Sequence, residues 1–177
     1  MRLNFGLFGY EFALNADCRE KRIKYVAGYT NRCKDGKYCI FLDYDNSELS
    51  WIEAELNHLQ HAFLLSDFYL FKSSENSYHA VCFDKVTMED YVKILKNSSV
   101  DINYINVPLH FGKKVWSLRL TDKDDVPLQF IEVIKGVLAI KPQSSPHVKL
   151  INTLFKLSIK LENPDDLKDL ILCRYRI

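Results

Sequence analysis

Two aspartates carry the first chemical signal in this sequence. Asp43 and Asp45 close the run Tyr38-Cys39-Ile40-Phe41-Leu42-Asp43-Tyr44-Asp45. Side chains two apart on a strand point to the same side, so both carboxylates project together from the end of an apolar strand. Close carboxylates repel unless a cation lies between them. Mg²⁺ and Mn²⁺ take oxygen ligands and bridge to phosphates. The pair reads either as a divalent-metal platform for phosphoryl or nucleotidyl transfer or as caps for the turn and helix that follow.

Further candidates lie downstream. His79 follows Ser77-Tyr78 and opens a strand out of a turn. A histidine there can hold a phosphate, move a proton or bind metal; the plain alternative is a half-exposed strand residue. Arg119 stands in the alternating stretch Val115–Thr121, with Lys113, Lys114, Lys123 and Trp116 nearby. Such a cluster suits a triphosphate or a nucleic-acid backbone, or it protects a strand edge by charge. Asp101 lies between these segments and is a third acid, which taken alone is a surface aspartate. His58 and His61 share a helical face without a third ligand and read as solvated. The five cysteines, Cys18, Cys33, Cys39, Cys82 and Cys173, are odd in number and contain no C-x-x-C pair. They predict reduced thiols in a cytoplasmic protein, not a zinc site or a disulfide framework. A Cys33–Cys39 bridge is the one pairing left open.

The elements that must position these residues follow from periodicity. Lys34–Lys37 is a turn signal, and Tyr38–Leu42 is an unbroken apolar run that suits a strand buried on both faces. Ser47 or Ser50 caps a helix, with Ser50 and Glu53 at capping-box spacing and apolar residues at Trp51, Ile52, Leu56, Leu59, Ala62 and Phe63. Phe68–Ser73 and Tyr78–Phe83 form a hairpin around Ser74–Ser77. Thr87 caps a second helix. Residues 98–114 read as irregular, Val115–Thr121 as a strand, and Asp122–Asp125 as a turn. Phe130–Ile140 reads as a strand interrupted by Gly136. Pro146 opens a helix through Leu157, and a short helix lies near Pro164–Leu172. The sum is α+β, with a mostly antiparallel sheet and helices on one face.

Composition narrows the function class. The chain has 177 residues, 47% of them hydrophobic, which is enough for a core and excludes a disordered protein. One domain over 1–177 is expected. Lys+Arg is 24 and Asp+Glu is 23, a net charge of +1, so any grip on nucleic acid or an anionic membrane must come from a local patch. Acidic and basic residues enter early, at Glu11, Asp17 and Arg19, so the start does not read as a secretory signal. No stretch reaches the roughly 18 apolar residues of a membrane span.

Taken in order, the motifs resemble a family. Ile40-Phe41-Leu42-Asp43-Tyr44-Asp45 looks like the hhhDhD/E motif of archaeo-eukaryotic primases, the primase-polymerase superfamily. Ser77-Tyr78-His79 is similar to its sxH motif, in its place opening a strand after a hairpin turn. Val115–Lys123 looks like the downstream strand bearing Arg and Lys in small plasmid and virus members. The resemblance covers about residues 38–125. It implies an RRM-like core that makes primers on a single-stranded DNA template from nucleoside triphosphates with Mg²⁺ or Mn²⁺. Asp43 and Asp45 match the metal-binding acids, with Asp101 as the candidate third. His79 matches the residue on the incoming triphosphate; Ser77, Arg119 and Lys123 complete the nucleotide site. Tyr44 or Trp116 would stack on a base. No helicase domain is present, so a helicase or other replication proteins are the expected partners. The alternatives are an inactive primase-like or small nucleic-acid-binding replication protein, and a rolling-circle initiator nuclease, which would need a paired HxH motif that Pro108-Leu109-His110 does not supply.

Overall fold

In the computed structural model, residues 2–7, 10–15, 25–112, 114–120, 122, 126–165 and 172–176 are described. The N-terminal third makes β1 (Arg2–Leu7) and β2 (Tyr10–Asn15), an antiparallel pair, and then β3 (Tyr25–Thr30). A tight turn follows, with Gly36 at φ +81°, a left-handed value that glycine adopts without steric cost. Next come β4 (Tyr38–Tyr44), α1 (Leu49–Phe63), β5 (Phe68–Ser74), β6 (Ser77–Val86) and α2 (Met88–Lys96). The second half holds α3 (Ile102–His110), β7 (Ser117–Arg119), β8 (Gln129–Ile134), β9 (Gln143–Ser144), α4 (Ser145–Phe155), β10 (Pro164–Asp165) and β11 (Leu172–Arg176).

The protein is mixed α+β, and its main sheet is mostly antiparallel. β6 lies between β4 and β5, and β8 pairs with the other side of β5. β9 joins β6 at Gln143↔Asp84, and β10 runs parallel to β9. β3 lies between β7 and β11 in a separate three-stranded sheet. All ten residues of β6 are buried, as expected of a central strand covered on both faces.

Period-two alternation sorts the side chains into two cores. Ile40, Leu42 and Tyr44 of β4 face α1, α2 and α3 with Leu70, Ala80 and Cys82. Cys39 and Phe41 face the other way, with Tyr69, Phe71, Val81 and Phe83, against Tyr29, Leu118 and α4's Val148 and Ile151. Helices therefore cover both faces, and the expectation of helices on one face is corrected. The second core is apolar enough to need α4 over it.

Several local readings change with the packing. α1 begins after Glu48, which makes no side-chain cap bond, and Ser50 lies inside the helix, so the Ser50/Glu53 capping box does not form. Thr87 does cap α2: its Oγ1 accepts from the Asp90 amide at 3.1 Å. The segment read as irregular contains α3, capped by Asp101 and carrying Pro108 inside. Of Val115–Thr121, the residues Ser117–Arg119 are strand, and they pair with β3. β8 ends at Ile134, before Gly136. Of the short helix expected near Pro164–Leu172, Pro164–Asp165 are strand and Leu172 opens β11, while residues 166–171 lie outside the described residues. Among the described residues no helix is long and apolar enough to cross a membrane.

β4 pairs with β6 along one edge, so its other edge must find partners elsewhere. The fully buried Asn31 supplies two. Its carbonyl accepts the Cys39 amide at 2.8 Å, and its side-chain Nδ2 donates to the Cys39 carbonyl at 3.2 Å. The same side chain accepts the Trp116 amide on Oδ1 at 3.1 Å. Tyr91 donates its hydroxyl to the Phe41 carbonyl at 2.6 Å, and the Asp101 amide donates to the Asp43 carbonyl at 3.2 Å. Asn31→Ala would strip partners from two buried backbone groups. It should lower unfolding free energy by roughly 2–5 kcal/mol in chemical denaturation; a loss below about 1 kcal/mol would show that this edge is not held by Asn31.

Candidate functional site

Asp43 is the next outward step along the β4 face that carries Cys39 and Phe41. Directly across the ladder from it stands His79 on β6, and across from His79 stands Phe71 on β5. His79 Nε2 lies 3.4 Å from Asp43 Oδ1. The histidine is 6% exposed, whereas the Asp43 side chain keeps 28% of its surface. The carboxylate is thus the solvent-facing member of the pair, and the imidazole stands behind it.

A carboxylate neighbour favours imidazolium, but burial acts against it and is the larger effect. Burial, and then the positive charge of Arg119, bring the His79 pKa down to about 3. The ring is neutral at pH 7, and the Asp43 contact is polar, not an ion pair. Among the described residues, the enclosed Nδ1 has no hydrogen-bond partner. The Tyr104 hydroxyl is enclosed in the same way. Burial raises its pKa well above the usual value, followed by the charges of Tyr91 and Asp43. Tyr104 sits on α3, inside the segment that sequence periodicity left irregular, so nothing in the pattern marked it.

The other candidates occupy distinct positions. Asp101 is tied to Asp43 by the amide–carbonyl bond, while its Oδ1 caps α3 by accepting the Asn103 amide at 2.9 Å. β4 ends at Tyr44, and Asp45 falls in the bend beyond it, before Asn46 at φ +51°. Strand alternation therefore no longer aims Asp45 alongside Asp43. Ser77 is buried and donates to the Glu75 carbonyl at 3.5 Å, a turn contact. Arg119 is 7% exposed and donates from Nη1 to the Val126 carbonyl at 3.2 Å. It is no solvated strand edge, because β7 packs against β3 over the second core. Lys123 and Lys113 lie outside the described residues; Lys114 is exposed. Tyr44 and Trp116 are 0% and 1% exposed and pack in the first core, which corrects the expectation that either stacks on a base. His58 and His61 are exposed on α1.

The structure therefore brings together Asp43, His79, Tyr104, the Asp101 backbone and the field of Arg119. It does not draw Asp43, Asp45 and Asp101 into a ready three-carboxylate cage. Among the described residues, the group whose ligand atoms all lie within 4.8 Å of one another is Cys33, Cys39 and His147.

The neutral, buried His79 sets a pH dependence. Its folded pKa lies below the unfolded value of about 6.5, so its contribution to stability is complete above that value and is lost as pH falls toward 3. Between pH 6 and 4, wild type should lose about 1.4 kcal/mol more per pH unit than His79→Gln. Parallel stability–pH curves for the two proteins would contradict the burial argument. No protein-family model, curated protein or solved structure matches this chain.

Proposed function

We propose that this chain is a metal-dependent nucleotidyltransferase of the primase-polymerase kind, acting on nucleoside triphosphates along a single-stranded DNA template. The observation that carries the reading is the pairing of Asp43 with His79 in register across β4 and β6. The acid of the hhhDhD-like run and the histidine of the sxH-like run are 36 positions apart in the chain, yet they face each other on one side of one sheet. The order β4–β6–β5, with α1 and α2 against one face, supports an RRM-like core.

The donors suit Mg²⁺ or Mn²⁺. Asp43 is a part-exposed hard oxygen ligand, Asp45 is exposed in the bend two residues on, and the Asp101 amide is bonded to the Asp43 carbonyl. Mg²⁺ is commonly held by one or two carboxylates together with substrate phosphates and water, so a complete protein cage is not required. Bound there, the ion supplies charge stabilisation at the transferring phosphate and a more acidic attacking hydroxyl.

His79 acts in this reading as a positioning residue. Its Nε2 side limits rotation of the Asp43 carboxylate, and its neutral ring places no positive charge of its own against that carboxylate. Arg119 adds positive field behind the ring, which favours an anionic substrate at the open side of Asp43. Because Arg119 is buried and near-neutral net charge gives no bulk attraction, template binding should be weak, with the shallow salt dependence of few phosphate contacts.

Primer synthesis tests this directly, with labelled nucleotides on a single-stranded template. Asp43→Asn should cut product formation by at least about 100-fold, the scale of losing several kcal/mol of charge stabilisation. His79→Gln should cause a smaller loss and raise the Mn²⁺ concentration needed for half-maximal rate. Folded wild type that makes no product and binds no nucleotide with Mn²⁺ would overturn the enzyme reading.

A further inference from the structure

A second group of ligating side chains lies lower on the same face of β4. Cys33 follows the bridge between Arg32 and Tyr38, Cys39 is the second residue of β4, and His147 is in the first turn of α4. Their exposures are 1%, 0% and 0%. Cys33 Sγ is 3.9 Å from Cys39 Sγ, and Cys39 Sγ is 3.6 Å from His147 Nδ1.

These spacings are those of a tetrahedral zinc ion. Bonds of about 2.3 Å to sulfur and about 2.0–2.1 Å to nitrogen place two sulfurs about 3.8 Å apart and sulfur and nitrogen about 3.5 Å apart. A disulfide needs about 2.05 Å. Both cysteines are free thiols. Arg32 stands opposite Tyr38, so Cys33 and Cys39 are diagonal across the hairpin and not directly opposed.

The histidine gives independent support. His147 Nε2 lies 2.8 Å from the Thr30 carbonyl, which can only accept, so Nε2 carries the hydrogen. A neutral ring then carries its lone pair on Nδ1, the nitrogen 3.6 Å from Cys39 Sγ. Metal-binding histidines are fixed in this way, by a carbonyl on the other nitrogen. Ser144 Oγ lies 2.6 Å from Nδ1 and, with Nε2 protonated, donates its hydrogen to that lone pair, so an ion at Nδ1 would take the place of this bond.

Charge is consistent too. Two thiolates balance the two charges of Zn²⁺, so the group is neutral as a whole, which buried ions require. Lys85, whose charge reaches Cys33, is already paired with Asp35 and Asp165.

We propose that Cys33, Cys39 and His147 bind one Zn²⁺, the Ser144 hydroxyl giving up its bond to Nδ1 and shifting to complete the coordination. The site is closed on all sides and is therefore structural. It fastens the Cys33–Cys39 hairpin and the start of α4 to β4, four residues before Asp43. It rests on different residues from the nucleotide site and stands without that reading.

Cobalt substitution tests the proposal. The reduced full-length chain, stripped of metal, should take up one equivalent of Co²⁺ with sulfur-to-cobalt charge-transfer absorption and intense tetrahedral bands. Excess Zn²⁺ should bleach them. Cys82→Ser, at a buried cysteine outside the group, should keep the spectrum, and Cys39→Ser and His147→Ala should lose it. Zn²⁺ at about 100 times its Kd should raise Tm by roughly 5–10 °C. This wild-type shift decides the matter even where a variant fails to fold. A wild-type chain that shows weak octahedral cobalt bands and no Tm gain, or that isolates with a Cys33–Cys39 disulfide, would overturn the assignment.

Discussion

The outer edge of β4 is the constraint on which the rest of the structure depends. β4 is buried on both faces but paired on only one edge, and unpaired backbone groups in an interior are costly. At Cys39, Phe41 and Asp43 those groups are met by Asn31, Tyr91 and Asp101 respectively. Each partner comes from a different part of the chain. Closing the edge therefore fixes the hairpin before β4, the rotation of α2 and the start of α3 at once. It also brings Asp101 beside Asp43, and lays Cys33 diagonally over Cys39. Two potential ligand sites follow from one requirement to satisfy hydrogen bonds.

Burial along β4 then divides the labour. On the second face the side chains run Cys39, Phe41, Asp43, from the fully enclosed end toward solvent. Soft sulfur ligands occupy the closed end and a hard carboxylate the open end. The same gradient explains His79. It is deep enough to be held neutral, yet its ladder position sets it against a carboxylate that still meets water. A cation at Asp43 can exchange ligands with solvent and substrate, whereas one at Cys39 cannot.

Much of the central sheet was legible in the sequence. The unbroken apolar run of β4, the period-two hairpin of β5 and β6, and the Thr87 cap each follow local rules, and the structure keeps them. The alternation rule also gave the face of Asp43. It does not extend to Asp45, because a strand's period ends where the strand ends, one residue earlier. α3 was hidden because Pro108 and its exposed apolar residues blur helical periodicity. Arg119 and Trp116 alternate as an exposed strand would, but β7 pairs with β3 and packs over the second core, a tertiary fact without a local signature. The Cys33–Cys39–His147 group was missed for the same reason. Its histidine lies 108 positions beyond Cys39, and spacing rules for metal sites look for ligands in nearby pairs.

The exposed side of Asp43, backed by His79, is where we propose that a divalent cation binds. Paramagnetic broadening by Mn²⁺ in the NMR spectrum tests it most directly, because the effect falls steeply with distance from the ion. His79 ring protons and the Asp43 and Asp101 amides should broaden first, at substoichiometric Mn²⁺, and Asp43→Asn should abolish this selectivity. Broadening that begins elsewhere, or that is unchanged in Asp43→Asn, would contradict it.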